Sequence, residues 1–579
     1  MSWALPLPVV IPLLAAALNK LLDHVTPAWL HTTVTIASVA TALGFASLVL
    51  VESMPSEPVH WFGGWTPRGG VAIGVAFAAD PLGAAFAVFA CAVTLGALVY
   101  SVTFIDSEKR NYDVLLGLLC GAVCGFALSA DLFNMFVWLE LLGVAGYALT
   151  GFDIRRRSAI QGALNFAVVN TIGGYLALIG IALVYARTGA LNLAQIGRTL
   201  AGEPANGVVI VAMTLIMVGF LCKAAVVPFH FWLADAYAVA PAPVCLVFAG
   251  CVTDIGVLGV ARVWFTVFDA PFGGHERIVG DALLWLGIAT ALVGGVMALV
   301  QEHLKRLLAF SVICHIGIIL AGVALLSSKG VGGAAVLLLA HGLATGGLFL
   351  AAGVLAVRER ARWTAVLWLA GALALIGPPY VGVYMGHALI DDAAAELGRH
   401  WVQPLLWLSG ALAGSALLRA GAEVFLGLDQ SRDHGIDERR HARVPILGAV
   451  AGVFVAAGFV VSLVPGLAQR AVFGADRFRD RAGYANRLLH GQPMRGTARL
   501  PVTLLHTSTE SLLYGVGALA VALALTAVAL YRPERSPTRV FEPAVAGLQR
   551  LQTGIVGDYV MWIVVGVAVL GGVWAITLR

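Results

Sequence analysis

The stretch VGFLCKAAVVPFHFWLADAYAVAPAPV, residues 218–244, sets an ammonium group, Lys223, at the end of the apolar run 207–222 and five positions ahead of Pro228. A proline inside a helix removes one backbone hydrogen bond and frees the carbonyl four residues earlier, here that of Ala224. Loose backbone at bilayer depth is tolerated where protein buries it or where it lines a wet cavity. Interrupted helices beside charged groups are how transporters build ion pathways. The competing reading is a kink at a helix end with Lys223 snorkelling to the surface; the depth of the lysine in its run argues against it.

The rest of the chain is of the same kind. Of 579 residues, 60% are hydrophobic and 12% charged, and the mean hydropathy is +0.89, which marks a polytopic membrane protein. A spanning helix needs about 20 apolar residues. Runs of that length fall near 4–22, 31–52, 80–105, 112–130, 132–152, 160–186, 207–227, 242–266, 280–300, 307–326, 332–356, 364–388, 401–427, 445–464, 511–531 and 555–577. The expected fold is all-α, with about sixteen spans. The first run lacks a basic leader and a small-residue cleavage site, so it is read as a span. Loops leaving odd-numbered spans hold Lys20, Lys109, Arg110, Arg155, Arg156, Arg157, Lys305, Arg306, Arg358, Arg360, Arg362, Arg439, Arg440 and Arg443. Basic residues of short loops stay cytoplasmic, which places the N-terminus outside. The Arg-rich segment 466–505 would then also lie outside, where a long loop counts little.

The net charge of +4 is spread over loops, so no nucleic-acid footprint appears. The seven cysteines contain no C-x-x-C pair, and no Gly-rich phosphate loop follows a strand. No metal, no cofactor and no catalytic residue is expected. Cys120 and Cys124, four apart, read as small core residues.

An ionisable group at bilayer depth costs about 2.5–3.5 kcal/mol even on insertion scales, so each one inside a run is a functional candidate. These are Glu140, Lys223, His230, Asp235, Asp254, Arg262, His315, His341, His387, Arg419 and Glu423. Glu140 is deep enough to need a cation on another helix or a proton, and alternation between those states is what a relay requires; a static salt bridge is the plainer alternative. His315, His341 and His387 stand alone in apolar runs, as core residues or as proton carriers. Arg419 and Glu423, four apart, are expected to pair with each other.

A second interruption, Pro378 and Pro379 in ALIGPPYVGVYMGHALIDD (374–392), falls in the twelfth span, five after the seventh. An odd period reverses the second copy, which is the mark of inverted repeats. The chain divides on this reading into 1–110, a first unit 111–270, a second unit 271–430 and a C-terminal part 431–579.

Four stretches in this order, 131–149, 163–193, 223–244 and 304–320, resemble the proton-conducting membrane subunits shared by respiratory complex I, multisubunit cation/proton antiporters and group 4 hydrogenases. The D-type antiporter subunit is the one most resembled. The likeness covers about residues 80–427, and 551–566 is similar to the tail of some long members. It implies a fourteen-helix core, Glu140 tuning Lys223, Lys223 as the proton carrier on the broken helix, and His341 in the second half-channel. Lysines usual in the family are replaced by Asp254, Thr345 and Gly386, the last next to His387. Glu140, Lys223 and Asp254 are therefore expected to form one titrating cluster, with His341 and His387 carrying the second half; His230, Asp235, Lys305 and His315 are secondary candidates. The implied partners are other membrane subunits, the bilayer, protons and Na+, in a cell membrane. Membership of an NADH dehydrogenase-like or hydrogenase-like complex, and a non-conducting scaffold serving inorganic-carbon uptake, are the alternatives.

Overall fold

A computed structural model of the protein describes residues 2–104, 109–202, 205–357, 362–426, 444–491, 508–531 and 542–578. Arg358, Arg360, Arg439, Arg440 and Arg443, used above for orientation, lie outside them. The first six spans are α1 (Leu7–Leu21), α2 (Ala28–Ser53), α3 (Pro81–Phe104), α4 (Lys109–Leu128), α5 (Leu132–Thr150) and α6 (Arg157–Thr188). A short, largely buried helix, α7 (Leu193–Leu200), precedes a seventh span made of two halves, α8 (Gly207–Lys223) and α9 (Phe231–Val239). The eighth runs as one rod over Ala242–Phe268 and contains α10 (Ala242–Val247) and α11 (Asp254–Val263). Then come α12 (Glu276–Leu299), α13 (Leu304–Ala324) and α14 (Ser328–Val357), a twelfth span split into α15 (Arg362–Ile376) and α16 (Tyr384–Glu396), and α17 (Val402–Leu426) and α18 (Val444–Val460). Two amphipathic helices, α19 (Leu467–Arg479) and α20 (Arg481–His490), replace what the sequence showed only as an Arg-rich loop. Helices α21 (Thr509–Tyr531), Glu542–Leu551 and Val556–Thr577 close the chain.

Among the described residues 14 helices are long and apolar enough to cross a bilayer. The two broken spans complete the expected sixteen. Their starts follow local chemistry: Asn206 caps α8 by accepting from Val208 N and Val209 N, and Asp131 caps α5 by accepting from Asn134 N.

One end of the bundle is stitched into a lid. Strands β1 (Val59–Trp61) and β2 (Ala76–Ala78) pair antiparallel, Ala130 N donates to Ala76 O (3.1 Å), and Arg198 on α7 donates to Gly70 O (2.6 Å). Helix α20 packs on α7, and α19 on α3 and α14. Buried in this lid, Glu57 meets Arg487 and, at 3.6 Å, Arg477. Asp80 meets Arg262, a residue counted above among the intramembrane charges.

Candidate functional site

Lys223 is the last residue of α8 and is 2% exposed. Its ammonium lies 5.0 Å from the centre of the Phe166 ring on α6, a cation–π contact. Phe166 stacks on Trp232 at 4.2 Å, and Trp232 Nε1 donates to Cys222 O at 3.0 Å. Half-buried Glu140 on α5 reaches α6 from the other side, with its carboxylate against Gly174. Glu140 is the charge that acts on Lys223, yet no direct ion pair joins them among the described residues. That arrangement is not the static salt bridge weighed above.

Gly174 is a position the sequence did not single out, since its importance depends on how α5 and α6 meet. A methyl group there would overlap Glu140 Oε1. The colliding atom is the mobile tip of a side chain, so the fold can absorb the change by moving the carboxylate. Gly174→Ala is therefore expected to leave assembly intact and to cut proton flux severalfold, read by dye quenching in vesicles beside a thermal-stability measurement.

The break after Lys223 is held by named donors. Val227 N donates to Thr290 Oγ1 on α12 (3.0 Å), Val226 N to Leu221 O (3.1 Å), and Lys305 Nζ to Ala240 O at the far end of α9 (3.0 Å). Pro228 follows a cis peptide bond. Lys305 thus serves the backbone of the broken span. Asp235 on α9 accepts from Arg306 Nη2 (2.7 Å), Asn165 Nδ2 (2.9 Å) and Tyr559 Oη (2.9 Å), so all its partners are fixed ones. The His230 ring lies tilted against Phe231 at 4.1 Å, and its Nδ1 has no hydrogen-bond partner among the described residues.

No hydrogen bond or ion pair joins Asp254 to Lys223 among the described residues. Helix α11 packs through Gly256 on Phe220 of α8 and on Ala224 just beyond its end, while the Lys223 ammonium is turned to α6. Asp254 is fully buried, neighbours Cys251 and Tyr237, and neither carboxylate oxygen is hydrogen-bonded among the described residues.

The histidines of the second half, isolated in sequence, are neighbours in space. His315 on α13 and His341 on α14 stack at 4.7 Å, and His341 Nδ1 lies 3.1 Å from Thr345 Oγ1. His315 Nε2 is 3.2 Å from Leu375 O, the carbonyl that Pro379 leaves without its helical donor, and Nδ1 is 2.8 Å from Ser311 O. A neutral imidazole donates through one nitrogen only; both carbonyls are served at once when the ring carries a second proton. The break itself is closed by α18 and the turn that follows it: Gly382 N donates to Phe459 O (2.9 Å) and Ser462 Oγ to Gly382 O (2.6 Å). Gly382 has φ +55, and a side chain there would overlap Ala374. Pro378 and Pro379 are thus located at the start of a turn that only glycine completes.

His387 on α16 stacks on Trp407 at 4.3 Å, with Nδ1 unbonded among the described residues. One turn further, buried Asp391 accepts from Trp407 Nε1 (2.9 Å) and Ser511 Oγ (3.0 Å). Sequence reasoning missed Asp391 because the apolar run was ended at 388. Its i, i+4 spacing from His387 was the available signal. Arg419 and Glu423 pair with each other at 3.7 Å, as their spacing predicted. Cys120 and Cys124 meet Cys91 of α3, at Sγ–Sγ distances of 3.8 and 3.6 Å to Cys91.

Comparison with known proteins gives a consistent result. The family model described as NADH:quinone oxidoreductase/Mrp antiporter, TM matches residues 129–408. The N-type subunit of the NADH-quinone oxidoreductase of Desulforudis audaxviator is 31% identical over 398 residues, 65% of this chain and 77% of that one. The D-type subunit of the Na(+)/H(+) antiporter of Bacillus subtilis is 27% identical over 451 residues, 73% of this chain and 86% of that one. A chain of the Mrp complex from Dietzia sp. DQ12-45-1b superposes with a TM-score of 0.74 and 26% identity, over 84% of this chain and 100% of that one.

Proposed function

We infer the function from the premise that the chain belongs to the NADH:quinone oxidoreductase/Mrp antiporter family of membrane subunits. It is a proton-translocating subunit of a multisubunit cation/proton antiporter, working beside other membrane subunits. The observation that carries this reading is the Glu140–Lys223 couple at a broken span: a buried ammonium and a half-buried carboxylate in each other's field with no direct bond among the described residues. Lys223 takes and releases the proton, Glu140 sets how readily it does so, and the open backbone beside Pro228 gives water a route. His315, His341, His387 and Asp391 continue the path in the second unit, 271–430, in place of the lysines the chain lacks. Asp254, buried between the halves with no hydrogen-bond partner among the described residues, is the step that joins them. The N-terminus lies on the outer face, and the stitched lid with it.

A second reading, a membrane-arm subunit of an NADH-quinone oxidoreductase-like complex, is favoured by the likeness to the N-type subunit. Identification of co-purifying subunits separates the two. Dye quenching in vesicles holding the purified complex tests the shared core. His341→Leu is expected to cut proton flux at least tenfold without loss of the assembled complex. Flux equal to the parent protein's removes the second unit from the path.

A further inference from the structure

Beneath α19, on the lid side of the bundle, lies a cavity of about 610 Å³, the size of sites that hold small molecules, roughly 300–1,000 Å³. Its walls come from the last turn of α2, the first turns of α3 and α14, and α11 and α13; Val51, Phe86, Phe89 and Leu339 are among them. Apart from Arg470 on α19, every lining residue is apolar. Val51 is 69% exposed, so the cavity opens sideways past α2, towards the bilayer.

Two features select an occupant. Helix α19 is amphipathic, placing Leu467, Ala471 and Phe478 on the cavity with Arg470 at its edge, as helices lying in the headgroup region do. Of those arginines, Arg477 is committed to Glu57, and Arg479 donates to Ser328 Oγ at 2.8 Å. Arg470 is exposed and makes no ion pair among the described residues. An unfilled apolar space forfeits the dispersion contacts of its whole lining. Acyl chains are the apolar material a bilayer supplies, and a cation at the mouth of a pocket between helices recognises an anionic headgroup.

We propose that this cavity binds a phospholipid with an anionic headgroup, its acyl chain lying between α2, α3 and α14 and its phosphate on Arg470. The lipid completes the packing between the N-terminal helices α2 and α3 and α14 of the second unit, and fixes α19 over the bundle. The site stands apart from the Glu140–Lys223 couple and does not depend on the transport reading.

The test uses the full chain with its co-purifying subunits in phosphatidylcholine discs, and photoactivatable phosphatidylglycerol or phosphatidylcholine carrying the reactive group on the acyl chain. Cross-links mapped by mass spectrometry are expected on the cavity walls, with phosphatidylglycerol preferred about fivefold, the worth of one basic residue near a membrane surface. Arg470→Glu, at an exposed position that leaves folding untouched, is expected to lower phosphatidylglycerol labelling to the phosphatidylcholine level. Ala335→Trp, which closes the cavity, is expected to abolish both. Equal labelling by the two probes in the parent protein, labelling unchanged by Arg470→Glu, or cross-links confined to the outer faces of the helices each overturn the proposal.

Discussion

Lys223→Ala is expected to reduce proton movement in reconstituted vesicles to background while leaving the complex assembled. The side chain is buried against Phe166 and carries no direct ion pair among the described residues, so its removal relieves a desolvated charge and breaks no bond on which the fold depends. Loss of flux with unchanged thermal stability therefore reports the relay and not unfolding. Glu140→Ala is expected to act alike, and the double variant to be no worse than either single one, because residues that work as a unit are strongly non-additive. Lys223→Arg sharpens the test. A guanidinium keeps the charge but does not release its proton at accessible pH, so it is expected to be as inactive as alanine. Unchanged transport in both Lys223→Ala and Glu140→Ala overturns the assignment.

The second large effect is on stability. Glu57 is buried against Arg487 and Arg477, and above about pH 7, where its carboxyl is ionised, Glu57→Ala leaves two guanidiniums without their carboxylate, a loss of roughly 3–5 kcal/mol for a broken buried pair. Protease cleavage within 467–490 is the readout, and it is expected to rise sharply. A pH dependence accompanies it. Burial pushes the Glu57 carboxyl up to about 7 from an ordinary 4.5, against the pull of the Arg487 charge. The docked lid thus holds a proton that the released lid gives up between those values. Docking is strongest below the ordinary glutamate pKa and weakens as pH rises through about 7. Glu57→Gln is expected to abolish that dependence, and a cleavage profile that keeps its slope in the Gln variant removes Glu57 as its source.

The spans were legible because bilayer thickness turns each into a countable run, and the breaks because Pro228, Pro378 and Pro379 cannot donate to a helix. Lys223 and Glu140 stood out for the same reason, as charges in apolar runs. What stayed hidden depends on the rotation of one helix against another. Asp254 and Lys223 look like partners when buried charges are read along the chain, yet no hydrogen bond joins the Asp254 carboxylate to anything among the described residues, and the Lys223 ammonium lies over the Phe166 ring of α6. His315 and His341 look solitary until α13 and α14 are set side by side. Gly174 carries no chemistry of its own and matters only as the place where Glu140 comes to rest. Helices α19 and α20 hid inside an Arg-rich segment because their apolar residues are too few to register as a span.

The hydroxyl of Tyr559 reaches Asp235 across 324 positions of sequence. Asp235 belongs to the second half of the seventh span, and its other two donors come from Asn165 on α6 and from Arg306 on α13. A helix that belongs to neither unit is thereby fastened to the half-span that follows the break, so any shift of Val556–Thr577 is felt at α9 as well as at its own place.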